Sequence, residues 1–186
     1  MDTPDALEAF ATAALDITRL APIIHQFQQA PAEVAILYSG SSKMFDDGKP
    51  HLQSCVYAYE GCSFGGYNVR FITEAQCING DLDKVSILII PKTPAIADDT
   101  FDAIRDYIEN GGTIAHPGGP IPYNEHGNAR HDVFRSTEKT ILVRGMNLPT
   151  EFLHAIDAAI VLGTLPKIAR PVNPHGYPLE GVKTRY

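Results

Sequence analysis

Residues 33–119 constrain the fold more than any other part of the chain. Three segments there have the composition of short, β-branched strands: EVAILYS, NVRFITE and VSILIIP. They are followed by a helical segment, DDTFDAIRDYIENGG, and then by a fourth strand, TIAHP. Strands that alternate with helices in this way predict a mostly parallel α/β sheet. The ligands of such sheets bind just beyond the carboxyl ends of the strands, so the residues at those ends decide what the domain can do.

The remaining elements extend this pattern in both directions. A one-sided helix is predicted over residues 4–28, and Pro22 inside it should bend or split it. Asp98 or Asp99 is predicted to cap the helix that Gly111 ends. The connection between the second and third strands is predicted to be a turn or a single helical turn. The other predicted elements are strands at 33–38, 68–73, 85–90, 112–116 and 139–143, helices at 51–64 and 149–162, a polar loop at 39–50, and an irregular excursion at 117–137.

The chain length predicts one domain with peripheral segments. At 186 residues the chain can bury one substantial core, whereas a second full domain would not fit. We therefore expect a helical lead-in at 1–31, an α/β domain at 32–165 and an extended, proline-rich tail at 166–186.

Composition argues against two classes of partner. The net charge of −7 and the pI near 5.4 disfavour nucleic-acid binding, which needs clustered Lys and Arg. No apolar run approaches the ~20 residues that span a bilayer, and the acidic N-terminus does not resemble a signal peptide. The sequence thus predicts a soluble protein without a membrane partner, with the cytoplasm as the favoured compartment.

No cysteine or serine nucleophile follows the fourth predicted strand. Ser39 follows the first strand, Pro91-Lys92-Thr93 the third, and His116-Pro117-Gly118 the fourth. His116 stands at the edge where a ligand is expected, so it is a candidate ligand-binding residue. A packing role, with one ring nitrogen bonded to backbone, is the alternative.

Two motifs that suggest chemistry have simpler explanations. The segment GCSFG (residues 61–65) matches G-x-S-x-G, but a helix precedes the serine and a strand follows it, which is the reverse of a nucleophile elbow. Gly61, Gly65 and Gly66 are therefore interpreted as residues that end a helix. The three cysteines, Cys55, Cys62 and Cys77, lack the spacing of a metal site or disulfide scaffold, which favours buried, inert thiols.

The excursion at 117–137 contains histidines and acids without a metal-site spacing. Glu125, His126, His131 and Asp132 are interpreted as a solvated loop. The glycine-rich segments match neither nucleotide-binding motif. The sequence therefore predicts no metal and no cofactor, although an irregular segment of this length usually binds a ligand or a partner.

The segments EVAILYS, YNVRFITE, GDLDKVSILIIPKTPAIADDTFDAIRDYIENGGTIAH and YNEHGNAR resemble a known family. They are similar to the class I glutamine amidotransferase-like fold, and more closely to the middle, trimerisation domain of family 42 β-galactosidases. The resemblance implies a flavodoxin-like three-layer sandwich that belongs to a larger enzyme. Amidotransferases of this fold place a cysteine or serine after the strand that matches TIAHP, where this chain has His116 and Pro117, so their chemistry is not expected here.

Three functional hypotheses remain. The first is a non-catalytic module of a larger glycoside hydrolase that contacts the other domains of that enzyme, forms a homo-oligomer and lines an active site. The second is a small hydrolase or amidotransferase relative that uses Cys62, Ser63 or His116. The third is a module that binds carbohydrate through four residues at the sheet edge: His116, Tyr123, Asn124 and Glu125.

Overall fold

The computed structural model describes residues 4–28, 31–168 and 174–175. By its internal contacts the chain divides into two units, Met1–Pro31 and Ala32–Tyr186. The prediction of a proline-rich tail falls almost entirely outside the described residues, and the predicted domain boundaries stay predictions.

The first unit is a single helix, α1, Pro4–Gln28. It continues through Pro22, so this proline does not split the helix, and the alternative of a bend stays a prediction. Apolar side chains recur along it at alternating steps of three and four residues, as the sequence indicated: Leu7, Phe10, Ala14, Ile17, Ala21 and Ile24. In the described part of the chain, no helix combines the length and apolar character needed to cross a membrane.

The second unit is built on a five-stranded parallel sheet with the strand order β2-β1-β3-β4-β5. Every strand pairs in parallel with its neighbours, which confirms the predicted α/β class. The strands are shorter than predicted, since their first or last residues lie outside the ladders. Their bounds are Val34–Tyr38 (β1), Val69–Thr73 (β2), Ile87–Ile89 (β3), Thr113–His116 (β4) and Thr140–Leu142 (β5).

Helices cover both faces of this sheet, which gives the three layers of a flavodoxin-like sandwich. Alternate strand residues face opposite cores, so Val34 and Ile36 lie in one cluster and Ala35 and Leu37 in the other. The first core includes residues of α3 (Lys49–Phe64) and α6 (Pro149–Val161), and the second includes residues of α4 (Glu74–Ile78) and α5 (Asp98–Glu109). β3 is buried throughout, as its nearly continuous apolar sequence predicted.

The predicted polar loop at 39–50 is largely helical. A short helix, α2, spans Gly40–Met44, a 3₁₀ turn follows at Asp46–Gly48, and α3 begins at Lys49. The Ser39 hydroxyl accepts a hydrogen bond from the Ser42 amide and so caps α2. The glycines were read as breakers, but Gly40 begins a helix and Gly48 precedes one.

Two further local predictions are corrected by tertiary contacts. Neither Asp98 nor Asp99 caps α5; its cap residue is Ala97, and the Glu125 carboxylate accepts a hydrogen bond from the Asp98 amide at 3.0 Å. Gly61 does not end α3 but lies inside it against α6, where an added Cβ would collide with the Pro149 carbonyl oxygen. Residues 117–137 contain no helix or strand, as predicted, and Tyr123 forms isolated β-bridges with Ala95 and with Ala129.

Candidate functional site

The strand order places the expected ligand crevice between β1 and β3. The chain passes from β1 to β2 on one side and then returns to β3 on the other side of β1. Ligands of doubly wound sheets bind at such a switch point, outside the carboxyl ends of the two strands. Ser39 and Lys92 follow β1 and β3 at this point.

His51, from α3, fills this crevice. Its side chain is fully buried. The Ser39 amide donates to His51 Nε2 at 3.1 Å, and His51 Nδ1 donates to the Lys92 carbonyl oxygen at 2.9 Å. Burial lowers the pKa of His51, although the bond to Lys92 and the nearby Glu74 carboxylate act in the opposite direction. A neutral imidazole thus joins the two strand ends where a ligand would otherwise bind.

Cys55 lies beside this imidazole but is not an activated thiol. Its Sγ is 3.6 Å from His51 Nε2 and 3.7 Å from the Leu37 carbonyl oxygen. Burial raises the pKa of Cys55 to about 12, so the thiolate is not formed at neutral pH. Burial also raises the pKa of Cys62, and it raises that of Cys77 to about 12. All three cysteines are free and buried, as predicted.

Glu74 is the most heavily hydrogen-bonded side chain of this edge. Its Oε1 accepts from Ser39 Oγ at 2.7 Å and from the Ser41 amide at 2.9 Å. Its Oε2 accepts from Ser41 Oγ at 3.2 Å and from the Ala97 amide at 2.9 Å. Burial raises the pKa of Glu74, but these hydrogen bonds outweigh burial and leave the pKa below its ordinary value. The carboxylate therefore stays ionised and joins the ends of β1 and β2 to the start of α5.

His116 lies at the end of β4, where the sequence predicted it, but it is 5% exposed. Its Nδ1 accepts a hydrogen bond from the Gly118 amide at 3.2 Å, so the neutral ring carries its proton on Nε2. That Nε2 atom is buried and has no hydrogen-bond partner among the described residues. The ring instead packs edge-on against Phe134, with the centroids 6.1 Å apart, and burial lowers its pKa.

The other three predicted ligand residues meet at the start of α5. Tyr123 stacks on Phe45 with the ring centroids 4.7 Å apart. Asn124 Nδ2 donates to Asp98 Oδ2 at 3.0 Å, and Glu125 accepts from the Asp98 amide. Asp98 also pairs with the buried Arg130. Within the described residues, no recorded contact joins His116 directly to Tyr123, Asn124 or Glu125, and the polar atoms of Asn124 and Glu125 hold the excursion onto α5.

The GCSFG segment does not form a nucleophile elbow, and the described His, Cys, Asp and Glu side chains do not form a metal site. Ser63 is buried in the last turn of α3, and a helix precedes it, as predicted. Among the residues that the structure describes, no group of three His, Cys, Asp or Glu side chains could hold a metal ion.

Sequence reasoning missed His51 and Glu74, which organise this edge. A signal for Glu74 was present, because it directly follows the second strand and the carboxyl ends of parallel strands share one edge. No comparable signal existed for His51, since it comes from the first turn of a helix whose orientation depends on packing.

A cleft of about 360 Å³ lies at the ends of β1 and β2. It is separate from the filled switch point. Its walls are Tyr38, Gly40, Ser41, Thr73, Glu74 and Ala75. A second depression, of about 400 Å³, lies at the opposite edge of the sheet beside Gly112 and Thr113.

Comparison with known proteins supports the fold. The sequence matches no protein-family model and no curated protein. Among solved structures, an exo-carrageenase of family GH42 from Bacteroides ovatus matches with a TM-score of 0.63 at 20% identity, over 81% of this chain and 20% of that chain. This chain thus spans about one fifth of the enzyme. At this identity the likeness establishes a shared fold.

Two β-galactosidases, one of them described as a GH42 enzyme, match more weakly. A catalytic mutant of the enzyme from G. stearothermophilus has a TM-score of 0.45 at 24% identity, over 57% of this chain and 16% of that one. The enzyme from Bacillus circulans sp. alkalophilus has a TM-score of 0.42 at 17% identity, over 54% of this chain and 15% of that one. These scores are too low to add to the argument for the fold.

Proposed function

We propose that this chain is a non-catalytic, class I glutamine amidotransferase-like module of a larger glycoside hydrolase of the β-galactosidase type. In that enzyme it serves assembly and lines an active site. The observation that carries the proposal is the fold shared with one fifth of a GH42 exo-carrageenase, over most of this chain. In this proposal the catalytic groups belong to other domains of the parent enzyme.

The state of the sheet edge supports a non-catalytic role. A hydrolytic centre needs an activated nucleophile and a base within reach of substrate. Here the polar atoms of His51 and Glu74 are already hydrogen-bonded to backbone and hydroxyl groups of the protein itself. β4 ends at His116, and the turn after it begins with Pro117, which has no amide hydrogen for an oxyanion hole.

The character of α1 supports the role in assembly. Its apolar side chains form one stripe at heptad-like spacing, which includes Leu7, Phe10, Ile17 and Ile24. A single helix cannot bury such a stripe by itself. A second copy of this chain or a neighbouring domain of the parent enzyme would bury it.

Activity assays test the non-catalytic part of the proposal. The isolated chain is incubated with chromogenic β-galactosides and, separately, with glutamine. We expect no turnover of either above a heat-denatured control. Robust, saturable turnover of either substrate would refute the proposal.

The specific observation that favours a hydrolase or amidotransferase relative is the 3.6 Å approach of Cys55 Sγ to His51 Nε2. A catalytic pair of this kind would need a thiolate at neutral pH, whereas burial raises the pKa of Cys55 to about 12. Labelling with a thiol reagent distinguishes the non-catalytic module from the hydrolase or amidotransferase relative. We expect all three cysteines to react more slowly than a free thiol at pH 7, and one cysteine that reacts much faster would favour the enzyme.

A further inference from the structure

Three aromatic side chains form a surface beside the cleft at the ends of β1 and β2. Phe71 stacks on Tyr59, with the centroids 6.0 Å apart and the planes 19° apart. Tyr38 meets Phe71 edge-on at 6.4 Å and also lines the cleft. Phe71 is 44% exposed although it lies in a strand of the sheet. The aromatic surface and the cleft are therefore continuous.

Two hydroxyl groups of this cleft remain available to a ligand. The Tyr38 hydroxyl makes no hydrogen bond with any residue that the structure describes. The Ser41 hydroxyl donates to Glu74 and keeps its own acceptor capacity. Glu74 itself already accepts four hydrogen bonds, so it forms a wall of the cleft and has no acceptor site left for a ligand.

The charges around the cleft favour a neutral ligand. The Glu74 carboxylate repels anions, and none of the described residues that line the cleft is a basic one that could bind phosphate. The Lys43 ammonium lies 5.9 Å from the centre of the Tyr38 ring and repels cations. A pyranose is neutral, has an apolar C–H face that packs on an aromatic ring, and has hydroxyl groups that pair with Tyr38 and Ser41.

We propose that Tyr38, Tyr59 and Phe71 bind the apolar face of a neutral hexopyranose, while the Tyr38 and Ser41 hydroxyls bond to its hydroxyl groups. The choice of a β-galactoside as the sugar rests on the function proposed above. The position of the site rests on the aromatic surface and the cleft alone. This site is distinct from His116 at the end of β4 and from Tyr123, Asn124 and Glu125 at the start of α5.

Titration of the full chain with lactose, followed by the aromatic resonances in NMR spectra, tests the inference. We expect the signals of Tyr38, Tyr59 and Phe71 to shift in a saturable way. Phe71→Ala removes the stacking ring and should raise the Kd on the order of ten-fold. Tyr38→Phe keeps the ring, so the fold is retained, and should also weaken binding because only the hydroxyl is lost.

Tyr123→Phe is the matched control, because it removes one phenolic hydroxyl at the other proposed sugar edge. We expect its Kd for lactose to equal that of the unmodified chain. The inference is overturned if lactose shifts the signals of Tyr123 and His116 instead, or if it shifts no aromatic signal. Either result leaves the module proposal standing. Turnover of glycosides by the isolated chain overturns the module proposal and leaves the cleft standing.

Discussion

At the scale of single residues, Glu74 contributes to stability through four hydrogen bonds. We predict that Glu74→Gln lowers the free energy of unfolding by about 2 kcal/mol, because the amide nitrogen would face donors in place of an acceptor. Urea denaturation measures the change. Glu138→Gln, at an exposed side chain, is the control and should change stability by less than about 0.5 kcal/mol.

The same carboxylate predicts an acid-sensitive contribution to stability. The pKa of Glu74 in the folded chain lies below its ordinary value of 4.5. Its contribution is therefore complete above pH 4.5 and is lost as the pH falls through the folded pKa. Urea denaturation of the unmodified chain and of Glu74→Gln across this range should give curves that converge at low pH. Curves that stay parallel would show that the carboxylate charge is not involved.

His51 predicts a second pH effect at a higher pH. Burial lowers its pKa below 6.5, so the unfolded chain takes up the proton first, and stability falls as the pH drops below 6.5. His116 acts with the same sign. We predict that His51→Gln reduces the slope of stability against pH between pH 7 and the folded pKa. A slope that is the same in His51→Gln and in the unmodified chain would contradict this prediction.

At the scale of helices and strands, the contact between α3 and α6 depends on Gly61. An added Cβ there would collide with the Pro149 carbonyl oxygen and lie 2.9 Å from Phe152 Cβ. We predict that Gly61→Ala destabilises the chain by about 1–3 kcal/mol, although alanine favours helix. Thermal unfolding tests this.

Gly40→Ala is the matched control for this contact. Gly40 also lies in a helix, and an added Cβ there would meet nothing within 4 Å. We expect the free energy of unfolding of Gly40→Ala to equal that of the unmodified chain or to be slightly higher. Equal losses in the two variants would show that helix packing does not explain the role of Gly61.

At the scale of the whole molecule, we predict that the apolar stripe of α1 drives self-association. Replacing Phe10 and Ile17 with Glu places charges on the stripe and should lower the mass measured by sedimentation. Thr12→Glu, off the stripe, should leave the mass unchanged. A monomeric unmodified chain would contradict a homo-oligomer formed by α1 alone.

How much of the fold the sequence predicted differs between elements. β3 and α5 were placed correctly because a doubly buried strand and a one-sided helix each show their burial in the spacing of apolar residues. The segment around α2 was misjudged, since its helix depends on the Ser39 cap and on the hydrogen bond that the Ser41 amide donates to the distant Glu74 carboxylate. Gly61 was misread because local sequence does not show which helix packs against a glycine.

By itself the sequence determined the parallel α/β class, the buried thiols and the absence of a nucleophile after β4, because each depends on residue type and local order. Only the tertiary structure decided that His51 fills the switch point, that Glu74 joins three segments, and that Asn124 and Glu125 anchor to α5. It also brought Tyr38, Tyr59 and Phe71 together beside a cleft. The reason is physical: these arrangements join residues far apart in sequence, and only the packing of helices on the sheet determines which of them meet.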